Sequence, residues 1–231
     1  MAKRLTKKER EALRFRADKK RAAVKNLSNS ITRLRQRVST DLRRGDERDQ
    51  LTAAIVRIMD RTAARVGNDA SASKGHFGVT GLQCRHVSVK GNRIDLEYVG
   101  KSGVAQKKGF SDADVARVIG DCLRRCRRGT SFVFVTSSGF RVKADRVNRY
   151  LSRYGVTAKD LRGYGANRFM VAALRKYRGQ ISGEKARKKA FMAELRKVAK
   201  KVGHTPATLR KHYLIDGFES NYVSRGQFPR L

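Results

Sequence analysis

Val202–Tyr213 reads VGHTPATLRKHY, a stretch that combines the start of a helix with a His and a Tyr that the helix can hold in fixed relation. Thr205 is a good N-cap, and Pro206 suits the first helical position, where a missing N–H costs nothing. Ala207, Thr208, Leu209, Arg210 and Lys211 contain no breaker, so Tyr213 is expected about two turns into the helix. His204 sits just outside it. A tyrosine hydroxyl beside an imidazole, with Arg210 and Lys211 nearby, is chemistry suited to an anionic substrate. An ordinary capped helix with a packed tyrosine would show the same pattern, so the rest of the chain must decide between the two.

The balance of charge names a partner. With 55 Lys and Arg against 20 Asp and Glu, the 231 residues carry a formal +35 and a pI near 11.2, far beyond what solubility requires. Self-repulsion on that scale opposes a compact state unless a polyanion neutralises it, which points to nucleic acid. A packing protein would show the same balance, so the activity stays open. Cys84, Cys122 and Cys126 are odd in number, with no Cys-x-x-Cys pair and no matching His spacing, which argues against a disulfide framework and against structural zinc. The chain reads as cytosolic. No apolar run approaches membrane-spanning length, and the start MAKRLTKKERE lacks the apolar core of a signal peptide.

Residues 1–46 are dense in Lys and Arg, with sparse apolar positions at Leu13, Phe15, Val24, Leu27, Ile31, Leu34 and Val38. The later ones fall at helical spacing, so one long basic helix or two short ones is expected, forming a DNA-binding arm separate from a catalytic domain at 47–231. Gly45-Asp46 marks a break, and Asp46, Glu47 and Asp49 supply the acidic first turn of a helix whose buried face is Leu51, Ile55, Ile58, Met59 and Thr62. That helix should end near Val66-Gly67, placing Arg65 at its C-terminus. Residues 68–80 read as a loop. QCRHVSV, NRIDLEYV and VAQKKGF follow as three short β-prone runs, the last two joined by Gly100-Lys101-Ser102-Gly103, so a small antiparallel sheet with Lys101 at a hairpin tip is expected. Ser111-Asp112 caps a helix with Val115, Val118, Ile119, Cys122 and Leu123 on one face, running to RRCRRGT, with Cys122 and Cys126 one turn apart and packed in the core. FVFVT is a short buried strand or extended segment, Val147 to Tyr154 another helix, and Thr157 with Asp160 a capping pair for the next. A basic helix from Ser182 or Glu184 to Lys200 leads to His204. The fold class is α+β, mainly α, with a small antiparallel sheet.

Four segments together resemble the catalytic domain of the type IB DNA topoisomerases of poxvirus and bacterial type. Gly203-His204-Thr205-Pro206 with Tyr213 matches the box that precedes the family's nucleophile. Lys159-Asp160-Leu161-Arg162-Gly163-Tyr164-Gly165 resembles its second arginine motif, and Tyr98, Val99, Gly100, Lys101 and Val104 match the hairpin that carries a catalytic Lys into the DNA minor groove. Arg65 in AARVGN resembles the family's first catalytic Arg. The resemblance runs from about residue 48 to about 222, and the usual amino-terminal β-rich clamp domain has no counterpart, its place being taken by the basic arm.

The resemblance implies the type IB topoisomerase and tyrosine recombinase catalytic fold, with Tyr213 attacking phosphorus in line and Arg65, Arg162 and His204 stabilising the charged transition state. Lys101 would protonate the departing 5′-oxygen. The product is a 3′-phosphotyrosyl bond that keeps the energy of the broken linkage, so no cofactor, metal or ATP is required. Lys159, Arg210, Lys211, Lys107 and Lys108 are the expected DNA contacts. The implied partner is double-stranded DNA, engaged by a monomer in the cytoplasm, at a bacterial nucleoid or in a virus- or phage-infected cell, with no membrane. Tyrosine recombinases share the residue order, but they usually show His-x-x-Arg where Lys159 precedes Arg162. A non-catalytic nucleic-acid-packing protein explains the charge but not five matched positions. Tyr222 is a second, less well placed tyrosine.

Overall fold

The computed structural model describes residues 6–126, 129 and 131–231. It begins with α1 (Lys7–Arg44), one continuous helix of 38 residues opened by a Thr6/Glu9 capping box. Val24, Leu27, Ile31, Leu34, Val38 and Leu42 recur at helical spacing and are all buried. They pack on α2 (Glu47–Thr62) and α6 (Ala158–Arg175). The boundary expected at residue 46 does not divide the packing: Gly45 turns the chain, but the buried side chains from Val24 to Leu42 share one hydrophobic core with the elements that follow. The stripe was visible in the sequence; what it would pack on was not. Phe15, farther out on α1, is 70% exposed.

Helix α2 is buried on nearly every side, through Leu51, Ala53, Ala54, Ile55, Val56, Ile58 and Met59. It stops at Thr62, because Ala63 adopts a left-handed conformation (φ 50°) while its N–H still bonds to Met59 O. Arg65 thus lies three residues beyond the helix and not on its last turn. The expected loop that follows contains α3 (Asp69–Ala72) and a 3-10 turn at Val79–Gly81.

The sheet has the expected three strands, β1 (Val87–Lys90), β2 (Arg93–Val99) and β3 (Ala105–Ser111), antiparallel in the order β1-β2-β3. On β2 alternate residues Ile94, Leu96 and Tyr98 face inward, and the register sets Leu96 opposite Lys108 and Tyr98 opposite Gln106. Helix α4 (Ala113–Arg124), capped by Asp112, covers the sheet. Its expected continuation runs partly outside the described residues, at 127, 128 and 130. FVFVT forms no strand; it is an extended buried segment held by isolated bridges Gln83–Phe132 and Val135–Arg141. Helices α5 (Ala144–Ser152), α7 (Glu184–Val202), α8 (Pro206–His212) and α9 (Phe218–Arg225) complete the chain.

Cys84 and Cys126 form a disulfide, leaving Cys122 as the buried free thiol. This corrects the expectation that the cysteines stay unpaired: α4 ends before Cys126, so that residue leaves the helix face it would share with Cys122 and turns toward Cys84. No helix among the described residues is long and apolar enough to cross a membrane.

Two buried clusters share α6. Leu161 and Tyr164 belong with α1, α2, the sheet, α4 and α5. Ala166, Met170, Val171 and Leu174 belong with α7, α8 and α9. Gly165 lies at the crossing with the end of α2, where a Cβ would stand 3.2 Å from that of Ala63.

Deleting residues 1–23 should leave a cooperative thermal transition close to that of the full chain, whereas deleting 1–46 should abolish it. The six buried α1 side chains are worth about 1.5–3 kcal/mol each, comparable in sum to the whole stability of a domain. Circular dichroism melts of the two truncations provide the measurement.

Candidate active site

The seam between the clusters is where most of the expected site residues meet. Arg162, on the second turn of α6, is only 4% exposed. One guanidinium nitrogen donates to Val202 O at 2.8 Å and lies 2.9 Å from His204 Nε2. Because Arg can only donate, Nε2 accepts, and the proton of the neutral ring sits on Nδ1. The Arg162 Nε is buried without a partner, a donor left over for a ligand atom.

His204 reaches this position because Gly203 ends α7 in a left-handed turn (φ 79°). A side chain there would be strained, and its Cβ would stand 2.2 Å from the Gln106 amide. Burial first, then the charges of Arg162, Arg65 and Lys108, push the imidazole down to about 3, so His204 is neutral at physiological pH. Burial and then Arg65 lower Arg162 to about 10, opposed by its interaction with Tyr213; the guanidinium stays charged.

The Tyr213 ring stacks obliquely on His204, centroids 4.4 Å apart, with the Arg162 guanidinium carbon 5.4 Å from its centroid. Thr205 accepts from Thr208 N and caps α8 as expected. The helix is one residue shorter than the expected span, and Tyr213 is its C-cap residue (φ −121°, ψ −42°). Its backbone is fixed from α6. Asn167, fully buried, donates to Gly163 O and Tyr213 O at 2.8 Å each and accepts from Ile215 N at 3.0 Å. Tyr222 is buried against Phe191 and Phe228, away from this cluster.

Arg65 is held by the backbone around it. Val79 N bonds to Arg65 O at 2.9 Å, and Thr80 binds Val66 O through both its N–H and its hydroxyl. Gly67 (φ 92°) and Gly78 permit the approach, since a Cβ on Gly78 would stand 2.4 Å from Gly67 Cα. The half-buried Arg65 contributes its charge to Arg162, His204, Lys108 and Tyr98 alike. Tyr98 is desolvated, which pushes it up to about 12 despite the two arginines.

Lys101 stands apart from this group, exposed on a 3-10 turn (Lys101–Gly103) in which Ser102 is left-handed (φ 64°). Val99 and Val104, also exposed, flank it. Of the expected DNA contacts, Lys159 and Lys107 are exposed, the latter 2.6 Å from Glu97. Lys211 is exposed, and Arg210 is engaged by Glu219 at 2.5 Å.

Lys108 corrects the expectation of an outer DNA contact. It is 8% exposed and donates to Lys201 O at 2.7 Å. Strand alternation explains the placement: Lys107 faces out, so Lys108 faces in with Gln106. That signal was available in the sequence, masked by the adjacent pair of lysines. Asn167 carried no sequence signal, being one polar residue within an otherwise ordinary helix. Among the described residues, no three His, Cys, Asp or Glu side chains come together as a metal site would need.

Comparison with known proteins shows the family and the fold. The family model described as eukaryotic DNA topoisomerase I, catalytic core, matches residues 10–217. Among solved structures, the XerH site-specific recombinase bound to palindromic difH substrate, in a post-cleavage complex, is similar with a TM-score of 0.54 at 12% identity, over 84% of this chain and 49% of that one. Its pre-cleavage complex with difH substrate gives 0.51 at 12% identity, over 86% and 53%. These likenesses concern the fold, and the chain spans about half the length of those recombinases. No curated protein matches the chain at the sequence level.

Asn167→Ala should destabilise the protein by about 2–3 kcal/mol in urea unfolding, because Tyr213 O and Ile215 N would be left without their buried partner. Substituting the exposed Lys159 by Ala should change stability by less than about 0.5 kcal/mol.

By the match across residues 10–217, this chain belongs to the family of the DNA topoisomerase I catalytic core.

Proposed function

We propose that the protein is a type IB DNA topoisomerase that relaxes supercoiled duplex DNA by transient cleavage of one strand. The observation that carries this reading is the buried Arg162–His204 pair lying against the Tyr213 ring, with Arg65 near enough that its charge lowers Arg162. The Tyr213 oxygen attacks phosphorus and passes its proton to solvent water, the P–O5′ bond breaks, and the departing oxygen takes a proton from Lys101. Arg65 and Arg162 donate to the non-bridging oxygens as charge builds on them. The orphaned Arg162 Nε and the Nδ1–H of neutral His204 add donors that need no deprotonation step. The 3′-phosphotyrosyl linkage conserves the bond energy while the free strand rotates, and religation reverses the attack. Neither ATP nor a metal ion enters these steps, and a monomer suffices.

A tyrosine recombinase is the second reading, favoured by the two recombinase complexes that share the fold. Lys159, one turn before Arg162, stands where that class usually carries His.

Purified protein should relax both positively and negatively supercoiled plasmid in EDTA without ATP, and Tyr213→Phe should abolish the covalent protein–DNA adduct on denaturing gels while retaining binding. Tyr222→Phe should remain active. An absolute magnesium requirement, or exchange between paired sites with no relaxation of a single plasmid, would overturn the assignment.

Lys101→Ala should slow cleavage of ordinary duplex by at least about 100-fold, within the range of general-acid contributions. It should recover on a duplex whose 5′-bridging oxygen is sulfur, a leaving group that needs no proton. Arg65→Ala and Arg162→Ala should stay slow on both substrates in single-turnover assays.

A further inference from the structure

Strand β3 turns two polar side chains into the protein, and both meet the elements that carry the active-site groups. Lys108 Nζ donates to Lys201 O, in the last turn of α7, at 2.7 Å, and stands 3.5 Å from Thr62 O at the end of α2. Two residues earlier on the same face, the Gln106 amide lies over Gly203, close enough that any Cβ there would collide with it. The Gln106 nitrogen also reaches the carbonyls of Val104 and Ala105 at 3.3 Å each, and its Cγ would stand 3.0 Å from a Cβ on Gly100. The contacts run without interruption from the turns presenting Arg65 and His204, through Lys108 and Gln106, to the base of the hairpin whose tip is Lys101.

We infer that Lys108 is a positioning residue for the reaction proposed above: it fixes β3 against the ends of α2 and α7, and thereby sets where Lys101 stands relative to Arg65, Arg162 and His204. The inference rests on that reading of the site. It assigns Lys108 no contact with DNA, since its amine is turned inward onto two backbone carbonyls.

A cation is costly in this place. Burial, and then Arg162, Arg65 and Lys201, bring Lys108 down to about 7. Arg162 faces it from α6, Arg65 from the segment after α2 and Lys201 from α7, with His204 close enough to feel its charge. A methionine of similar length would fill the space without that cost, so a purely structural role is served as well by an apolar side chain. The amine offers something methionine cannot: directed donors that hold one strand to two helix ends.

The test compares Lys108→Met with the unaltered chain and with Lys101→Ala in single-turnover cleavage of saturating duplex, on ordinary and 5′-sulfur substrates. Lys108→Met should cleave ordinary DNA at least about 10-fold more slowly, recover to within about 3-fold of the unaltered chain on the sulfur substrate, and bind with unchanged affinity and salt slope. Should Lys108→Met fail to fold, Gln106→Ala, on the same contact path, should give the same pattern with a smaller loss. An unaltered chain inert on DNA would sink the enzymatic reading, and this one with it. An active unaltered chain with Lys108→Met equally fast would sink this inference alone. It would also fall if Lys108→Met lost affinity with a salt slope reduced by about 1, the mark of a direct phosphate contact. Slow cleavage on both substrates would place its effect at the arginines and not at Lys101. Rescue of Lys108→Met without rescue of Lys101→Ala would make Lys108 itself the proton donor.

Discussion

The arrangement depends on a guanidinium held almost out of water at the junction of two cores. Arg162 is bound to a helix-end carbonyl and to an imidazole, and one further donor is without a partner. Removing such a group from water costs several kcal/mol unless its hydrogen bonds are met. The Arg162 Nε is thereby left aimed and already dehydrated, so in the reaction proposed above it meets a phosphate oxygen without further loss of water. The same burial keeps His204 neutral, so Arg162 can donate to it instead of repelling it. A protonated imidazole would set two cations 2.9 Å apart.

The distribution of the few carboxylates serves the same end. Asp60 receives Arg35 through two bonds and lies within reach of Arg168, Asp41 receives Arg37 and the Tyr150 hydroxyl, and Asp112 receives Arg57. Glu194 draws in Lys176, Lys197 and Tyr177. These four carboxylates are drawn inward to hold helices together, and much of the excess basic charge is left on the surface. Against a net +35 this gives the exterior the sign that a phosphate backbone requires.

Much of this organisation was legible in the sequence because it is local. The Thr157/Asp160 and Thr205 caps, the alternation of β2 and the Gly100–Gly103 hairpin depend on neighbouring residues, and each formed where the pattern put it. Long-range packing was less readable. The stripe from Val24 to Leu42 announced an amphipathic helix without saying that α2 and α6 would cover it, so a core helix resembled an arm. Left-handed Ala63 ended α2 early although alanine favours helices, because the close crossing of Gly165 over that point is a tertiary demand. Lys108 was misplaced for a related reason: a buried lysine is rare enough that composition argues against it, and only the strand's alternation puts it inside.

The two cores also divide the candidate site residues into two sets. Arg162 and Asn167 lie five positions apart on α6, and Asn167 holds the backbone of Tyr213, while His204 is bonded to Arg162 itself. Tyr213, Arg162 and His204 are thereby referenced to one rigid helix. Arg65 and Lys101 are referenced to the other side, through Val79, Thr80 and the bond from Phe77 N to Val99 O at the hairpin base. Any small shift between the cores would leave the first set intact and move the second relative to it. The contacts of Lys108 and Gln106 cross that division, from β3 to the ends of α7 and α2, so that one inward face of a short strand joins the two sets.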